Sequence, residues 1–85
     1  MEVAYRRDRV KTLRGMQPAK ATDIRAAIAR IAINPFAPNN NIKPLSGVAN
    51  GYRVRVGDWR VSYTVDRAAN VIEVFEVAPR GGAYR

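Results

Sequence analysis

Two short runs in the C-terminal half of the chain carry the residues best suited to chemistry. Tyr52-Arg53-Val54-Arg55-Val56 and Trp59-Arg60-Val61-Ser62-Tyr63-Thr64-Val65 both alternate apolar with polar side chains, the period-two pattern of a strand with one buried face. Gly57-Asp58 between them reads as a two-residue hairpin turn, and such a turn fixes register. Val56 then lies opposite Trp59, Arg55 opposite Arg60, and Arg53 opposite Ser62. Two guanidiniums sharing one cross-strand site repel by roughly a few tenths of a kcal/mol or more. The closest carboxylate in sequence, Asp58, belongs to the turn, so little acidic relief is expected. A bound anion would remove the repulsion, and the guanidinium fork fits phosphate oxygens bidentately. A solvated sheet face, whose long side chains cover apolar surface, has the same pattern.

Two further groups of residues suit an anionic ligand. The last seven residues, Pro79-Arg80-Gly81-Gly82-Ala83-Tyr84-Arg85, set Arg80 and Tyr84 beside two glycines. A tyrosine stacks on a nucleobase for about 1–3 kcal/mol, although a frayed terminus has the same composition. Arg7, Lys11 and Arg14 recur at helical spacing; they form either an RNA-binding stripe or the water-facing side of a helix.

Composition narrows the chemistry. The chain has no cysteine and no histidine, which removes disulfides, thiolate nucleophiles, Zn–S sites and imidazole bases. Fifteen Lys and Arg against seven Asp and Glu give a net charge of +8, a balance that favours nucleic acid or an acidic protein as partner. With 85 residues, 47% of them hydrophobic, the chain is read as one small globular domain, residues 1–85, with a thin core. No apolar run reaches the roughly 20 residues that span a bilayer. Charge follows Met1 within a few residues and no apolar leader segment is visible, so a cytoplasmic location without membrane contact is expected.

The elements that must hold these residues are legible in outline. Val3 and Tyr5 alternate with Glu2 and Ala4, which predicts a strand over 2–5, and Val10, Leu13 and Met16 predict a helix over about 7–15. Pro18 suits a first helical turn, and Ile24, Ala27, Ile28 and Ile31 make an apolar stripe ending at Asn34-Pro35, which predicts a second helix. From Asn34 to Gly51 the run Asn39-Asn40-Asn41 and prolines 35, 38 and 44 predict a loop, with Phe36, Ile42 and Leu45 as its anchors. Strands over 52–56, 59–65 and 71–77 complete a β-α-α-β-β-β pattern. The expected fold is α+β, a helical hairpin packed on one face of an antiparallel sheet, with the arginine face open.

Three stretches then stand out together: Lys43-Pro44-Leu45-Ser46-Gly47, the run from Gly51 to Tyr63, and Val77-Ala78-Pro79-Arg80 with Tyr84. With them the whole chain resembles the RelE/ParE toxin superfamily. The resemblance implies a RelE-like microbial RNase fold and, in the RelE branch, a type II toxin–antitoxin toxin. Such a toxin is a ribosome-dependent endoribonuclease, an mRNA interferase that cleaves messenger RNA in the decoding site, needs no metal or cofactor, and is neutralised by a cognate acidic antitoxin. By position, Arg53 and Arg55 match the family's basic pair, Arg60 its phosphate-binding arginine, and Arg80 and Tyr84 its C-terminal arginine and tyrosine; these five are the expected catalytic residues. The well-understood ribonucleases carry lysines where Arg53 and Arg55 stand. A guanidinium, with a pKa above about 12, is a poor proton acceptor, which leaves the general base unassigned. Pro79 replaces a frequent histidine, and two glycines replace charged residues before Tyr84. The ParE branch, which shares the fold and is associated with DNA gyrase inhibition without RNA cleavage, is the alternative; an inactive toxin fold kept for partner binding is a third.

Overall fold

A computed structural model describes residues 1–79 of the chain. In chain order it contains β1 (Glu2–Tyr5), α1 (Arg7–Gly15), α2 (Pro18–Ile33), β2 (Ile42–Pro44), β3 (Gly51–Val56), β4 (Trp59–Asp66) and β5 (Val71–Pro79). Pro18 holds the N-terminal turn of α2, where the missing N–H costs nothing, and the preceding Gln17 is driven into extended backbone by the proline ring. Asp8 in the first turn of α1 and Arg14 in its last both oppose the helix dipole.

The five strands form one sheet in the order β1-β5-β4-β3-β2. The β3–β4–β5 meander is antiparallel, as the sequence pattern predicts. The sheet is nonetheless mixed and two strands wider than that meander. β1 runs parallel to β5, from Glu2 opposite Val71 to Tyr5 opposite Val74; the two helices intervene between β1 and the rest, which is the crossover a parallel pair needs. The expected loop over 34–51 also contains β2, paired antiparallel to β3 through Ile42–Val54, Lys43–Arg53 and Pro44–Tyr52. Pro44 is tolerated there because β2 is an edge strand with a single neighbour.

Both helices cover the same face of the sheet. Leu13 from α1 and Ile24, Ile28 and Ile31 from α2 are buried against Val54, Val61, Tyr63, Val65, Ile72, Val74 and Val77. Each such aliphatic side chain contributes about 1.5–3 kcal/mol on burial, so the apolar stripe of α2 is its attachment to the sheet. The N-terminal amine donates to the Ala32 carbonyl at 2.9 Å, tying β1 to the end of α2. Of the expected loop anchors, Ile42 packs on the core and Leu45 is half-buried. Phe36 stays 47% exposed, edge-on to Tyr52 at 6.3 Å and under the Arg67 guanidinium at 4.4 Å.

Two glycines fix the geometry around β3. Gly57 has φ +57°, the left-handed value required at the first position of a II′ hairpin turn. At Gly51 a Cβ would approach the Val48 Cβ to 2.8 Å, so the loop can close onto the start of β3 only without a side chain there.

Candidate functional site

The Gly57-Asp58 turn imposes the expected register: Val56 faces Trp59, Arg55 faces Arg60, and Arg53 faces Ser62. Since Val54 and Val61 point into the core, Arg53, Arg55 and Arg60 project from the side of the sheet away from the helices. Pairing with β2 adds a fourth cation, because Lys43 is the register partner of Arg53 and lies on the same side. Lys43, Arg53, Arg55 and Arg60 line one shallow depression of about 560 Å³ together with Asn40 and Asn41. The Asn-rich loop is fastened as its wall: the Arg55 N–H donates to the Asn41 carbonyl at 2.9 Å, and the Asn41 N–H donates to Asn39 Oδ1 at 2.8 Å.

Electrostatically the depression is unbalanced. Among the described residues the only ion pairs are Arg6–Glu73 and Arg9–Asp8, so none of its four cations has a carboxylate partner within 4.0 Å. Among the described residues Arg53 Nε is moreover buried without a hydrogen-bond partner, and an unmet buried donor costs about 1–3 kcal/mol. An oxyanion seated there would satisfy that donor and separate the opposed charges of Arg55 and Arg60 in one step.

Two expectations for this face need correction. Its centre is not solvent-exposed: Ser62 has no exposed surface and Ala78 only 7%. Nor is acid absent, because Glu76 on β5 is the register partner of Ser62 and accepts a hydrogen bond from its Oγ at 3.2 Å. Strict alternation from Ile72 and Val74 would turn Glu76 into the core. A bulge in the β4–β5 pairing between Ser62 and Tyr63 leaves Phe75 without a partner and reverses the alternation, burying Val77 and bringing Glu76 to the arginine side.

Arg7, Lys11 and Arg14 are exposed on α1, which packs on the opposite face of the sheet, so the structure separates them from the strand arginines. Arg80 and Tyr84 lie outside the described residues. Lys43 is not legible as a site residue because its strand has the composition of a loop, and Glu76 is not because only the bulge reveals its side. Among the described residues no three acidic side chains converge to hold a metal ion, and no helix is long and apolar enough to cross a membrane.

Behind the site, Tyr63 stacks on Tyr52 at 5.8 Å. Burial, with a smaller effect of neighbouring Tyr52, pushes its phenol up to about 12, and its hydroxyl has no hydrogen-bond partner.

This fold and strand pattern are those of a known class. The model of the ParE toxin of the type II toxin–antitoxin system, parDE, matches residues 7–84, and the chain belongs to the RelE/ParE superfamily of type II toxin–antitoxin toxins. It is 31% identical over 77 residues to RelE1 of Methanocaldococcus jannaschii, a match covering 89% of this chain and 86% of that protein. The RelE–RelB complex from Pyrococcus horikoshii OT3 contains a chain that superposes with a TM-score of 0.82 at 27% identity, over 96% of this chain and 97% of that one. The isolated RelE toxin of E. coli superposes with a TM-score of 0.80 over 98% of this chain and 87% of that one; at 15% identity this is a likeness of fold.

Proposed function

We propose that this toxin is a ribosome-dependent endoribonuclease that cleaves messenger RNA during translation. The reading is carried by one observation: four cations on three adjacent strands converge on one depression, two of them directly opposed and none paired with a carboxylate among the described residues. Such a surface suits a phosphodiester. A ribose 2′-OH attacks the adjacent phosphate, the 5′-oxygen leaves, and the product carries a 2′,3′-cyclic phosphate. The step needs stabilisation of the charge that builds on the phosphorane, and preorganised cations supply it without reorganisation. Arg55 and Arg60 clamp the non-bridging oxygens, while Arg53, with its unpartnered Nε, orients the nucleophile. Arg80 stabilises the leaving oxygen and Tyr84 holds the base. Arg7, Lys11 and Arg14, on the far face, contact ribosomal RNA away from the scissile bond. A cytoplasmic site of action follows from the ribosome as target.

An acidic antitoxin is the second partner. Relatives occur in RelE–RelB toxin–antitoxin complexes, and a charge of +8 on 85 residues makes association with an acidic chain fast and salt-sensitive.

The match to a family described as ParE favours one alternative, a DNA gyrase inhibitor. Primer extension on messages translated by purified ribosomes, run beside a gyrase supercoiling assay, separates the two. Cuts within codons support the nuclease; intact messages with blocked supercoiling support the gyrase inhibitor.

A further inference from the structure

The reaction proposed above has no acceptor for the 2′-OH proton, since guanidiniums do not deprotonate near neutrality. Among the described residues, Glu2, Asp66 and Glu73 share the arginine side but lie toward the other end of the strands, Glu73 beside Arg6, and Glu76 is the carboxylate in the rows of the strand arginines. Glu76 stands in the row Arg53–Ser62–Glu76 across β3, β4 and β5, one row from Arg55–Arg60–Ala78. Its side chain is half-buried and makes no ion pair among the described residues. Among the described residues, the charged groups nearest it by register are Arg60 diagonally on β4, Arg53 beyond Ser62 on β3, Arg6 after β1 and Glu73 on its own strand. Arg6 is engaged elsewhere, 3.8 Å from Glu73 and 5.6 Å from the Phe75 ring. Ser62, wholly buried, donates to Oε1, which fixes the carboxylate and leaves Oε2 to accept a second proton donor.

The bulge is a second, independent observation. A regular β5 would turn residue 76 into the core. One unpaired residue, Phe75, brings the carboxylate to the cationic side instead, and bulges of this kind recur beside active sites, where they re-aim a side chain.

We propose, resting on the nuclease reading, that Glu76 is the general base of this toxin and that Ser62 is the residue positioning it. The 2′-O–H bond breaks and its proton passes to Glu76 Oε2; the 2′-oxygen bonds to phosphorus; the P–O5′ bond breaks with its electron pair on O5′, which takes a proton from solvent. The opposite role for Glu76, a counter-charge that merely calms the arginines, predicts an opposite result. Neutralising it would then tighten RNA binding and leave cleavage intact or faster.

The test is single-turnover cleavage of messenger RNA on programmed ribosomes by the full chain and by Glu76→Gln. The base reading expects Glu76→Gln to stay folded by circular dichroism, to co-sediment with ribosomes at least as well as wild type, and to cleave about 10²–10⁴-fold more slowly. Glu76→Ala should be partly restored by added formate. Ser62→Ala should slow cleavage less than Glu76→Gln, with ribosome affinity unchanged. A folded Glu76→Gln that cuts at the wild-type rate overturns the assignment and leaves the nuclease reading standing. A wild-type chain that cuts nothing removes the nuclease reading, and the assignment with it.

Discussion

Arg55 on β3 and Arg60 on β4 are direct partners in an antiparallel ladder, and among the described residues neither meets a carboxylate. A fold selected only for stability has no reason to keep two guanidiniums opposed, because the arrangement weakens the hairpin it belongs to. Its utility appears only when an anion sits between them.

Replacing Arg55 with alanine should therefore leave stability unchanged or raise it by roughly a few tenths of a kcal/mol at low ionic strength, an effect that salt screens away. Urea denaturation at low and high salt measures this. Inorganic phosphate should raise the melting temperature of the wild type more than that of the variant, because binding to the native state stabilises it by mass action. A clear loss of stability in Arg55→Ala would mean that the pair is held by packing and is not in conflict.

At Gly51 the limit is steric. A methyl group would meet the Val48 Cβ at 2.8 Å and the Val48 carbonyl oxygen at 3.1 Å, atoms that move only with the backbone. Gly51→Ala should cost about 1–3 kcal/mol, read as a lower urea midpoint with an unchanged slope. Strand β2, which the loop before Gly51 joins to β3, should loosen with it together with the preceding Asn41, seen as faster amide exchange at Arg55, whose N–H donates to the Asn41 carbonyl.

Tyr63 sets the alkaline limit. Folding favours its neutral phenol, so its contribution is whole below the ordinary value of 10.0 and is lost as pH climbs through about 12. Tyr63→Phe should remove this component of base-induced unfolding. It should also raise stability at neutral pH by about 1 kcal/mol, since it deletes a buried hydroxyl without a partner. Thermal melts at neutral and alkaline pH test both effects.

What the sequence discloses here is what local chemistry decides. The stripe of Ile24, Ile28 and Ile31 and the register set by Gly57-Asp58 depend on residues a few positions apart, and both were legible. β2 is three residues ending in proline, and only its pairing with β3 makes it a strand; Lys43 was hidden with it. β1 joins β5 across almost the whole chain, so nothing near either strand announces a parallel pair. Glu76 sits in a run that alternates correctly for a buried side chain, and the bulge that reverses its direction arises from the β4–β5 pairing. The arginine half of the site was therefore legible, while its lysine and its carboxylate depended on long-range contacts.

Arg60 tests the central claim most directly. Arg60→Ala removes half of the opposed pair and leaves the buried core of Val61, Tyr63 and Val65 in place. Its single-turnover cleavage rate on messenger RNA held in programmed ribosomes should fall by about 10²–10³-fold, the scale of deleting one charge-stabilising donor, with the circular dichroism spectrum and ribosome association retained. A folded Arg60→Ala that cleaves as fast as the wild type would contradict the phosphate clamp.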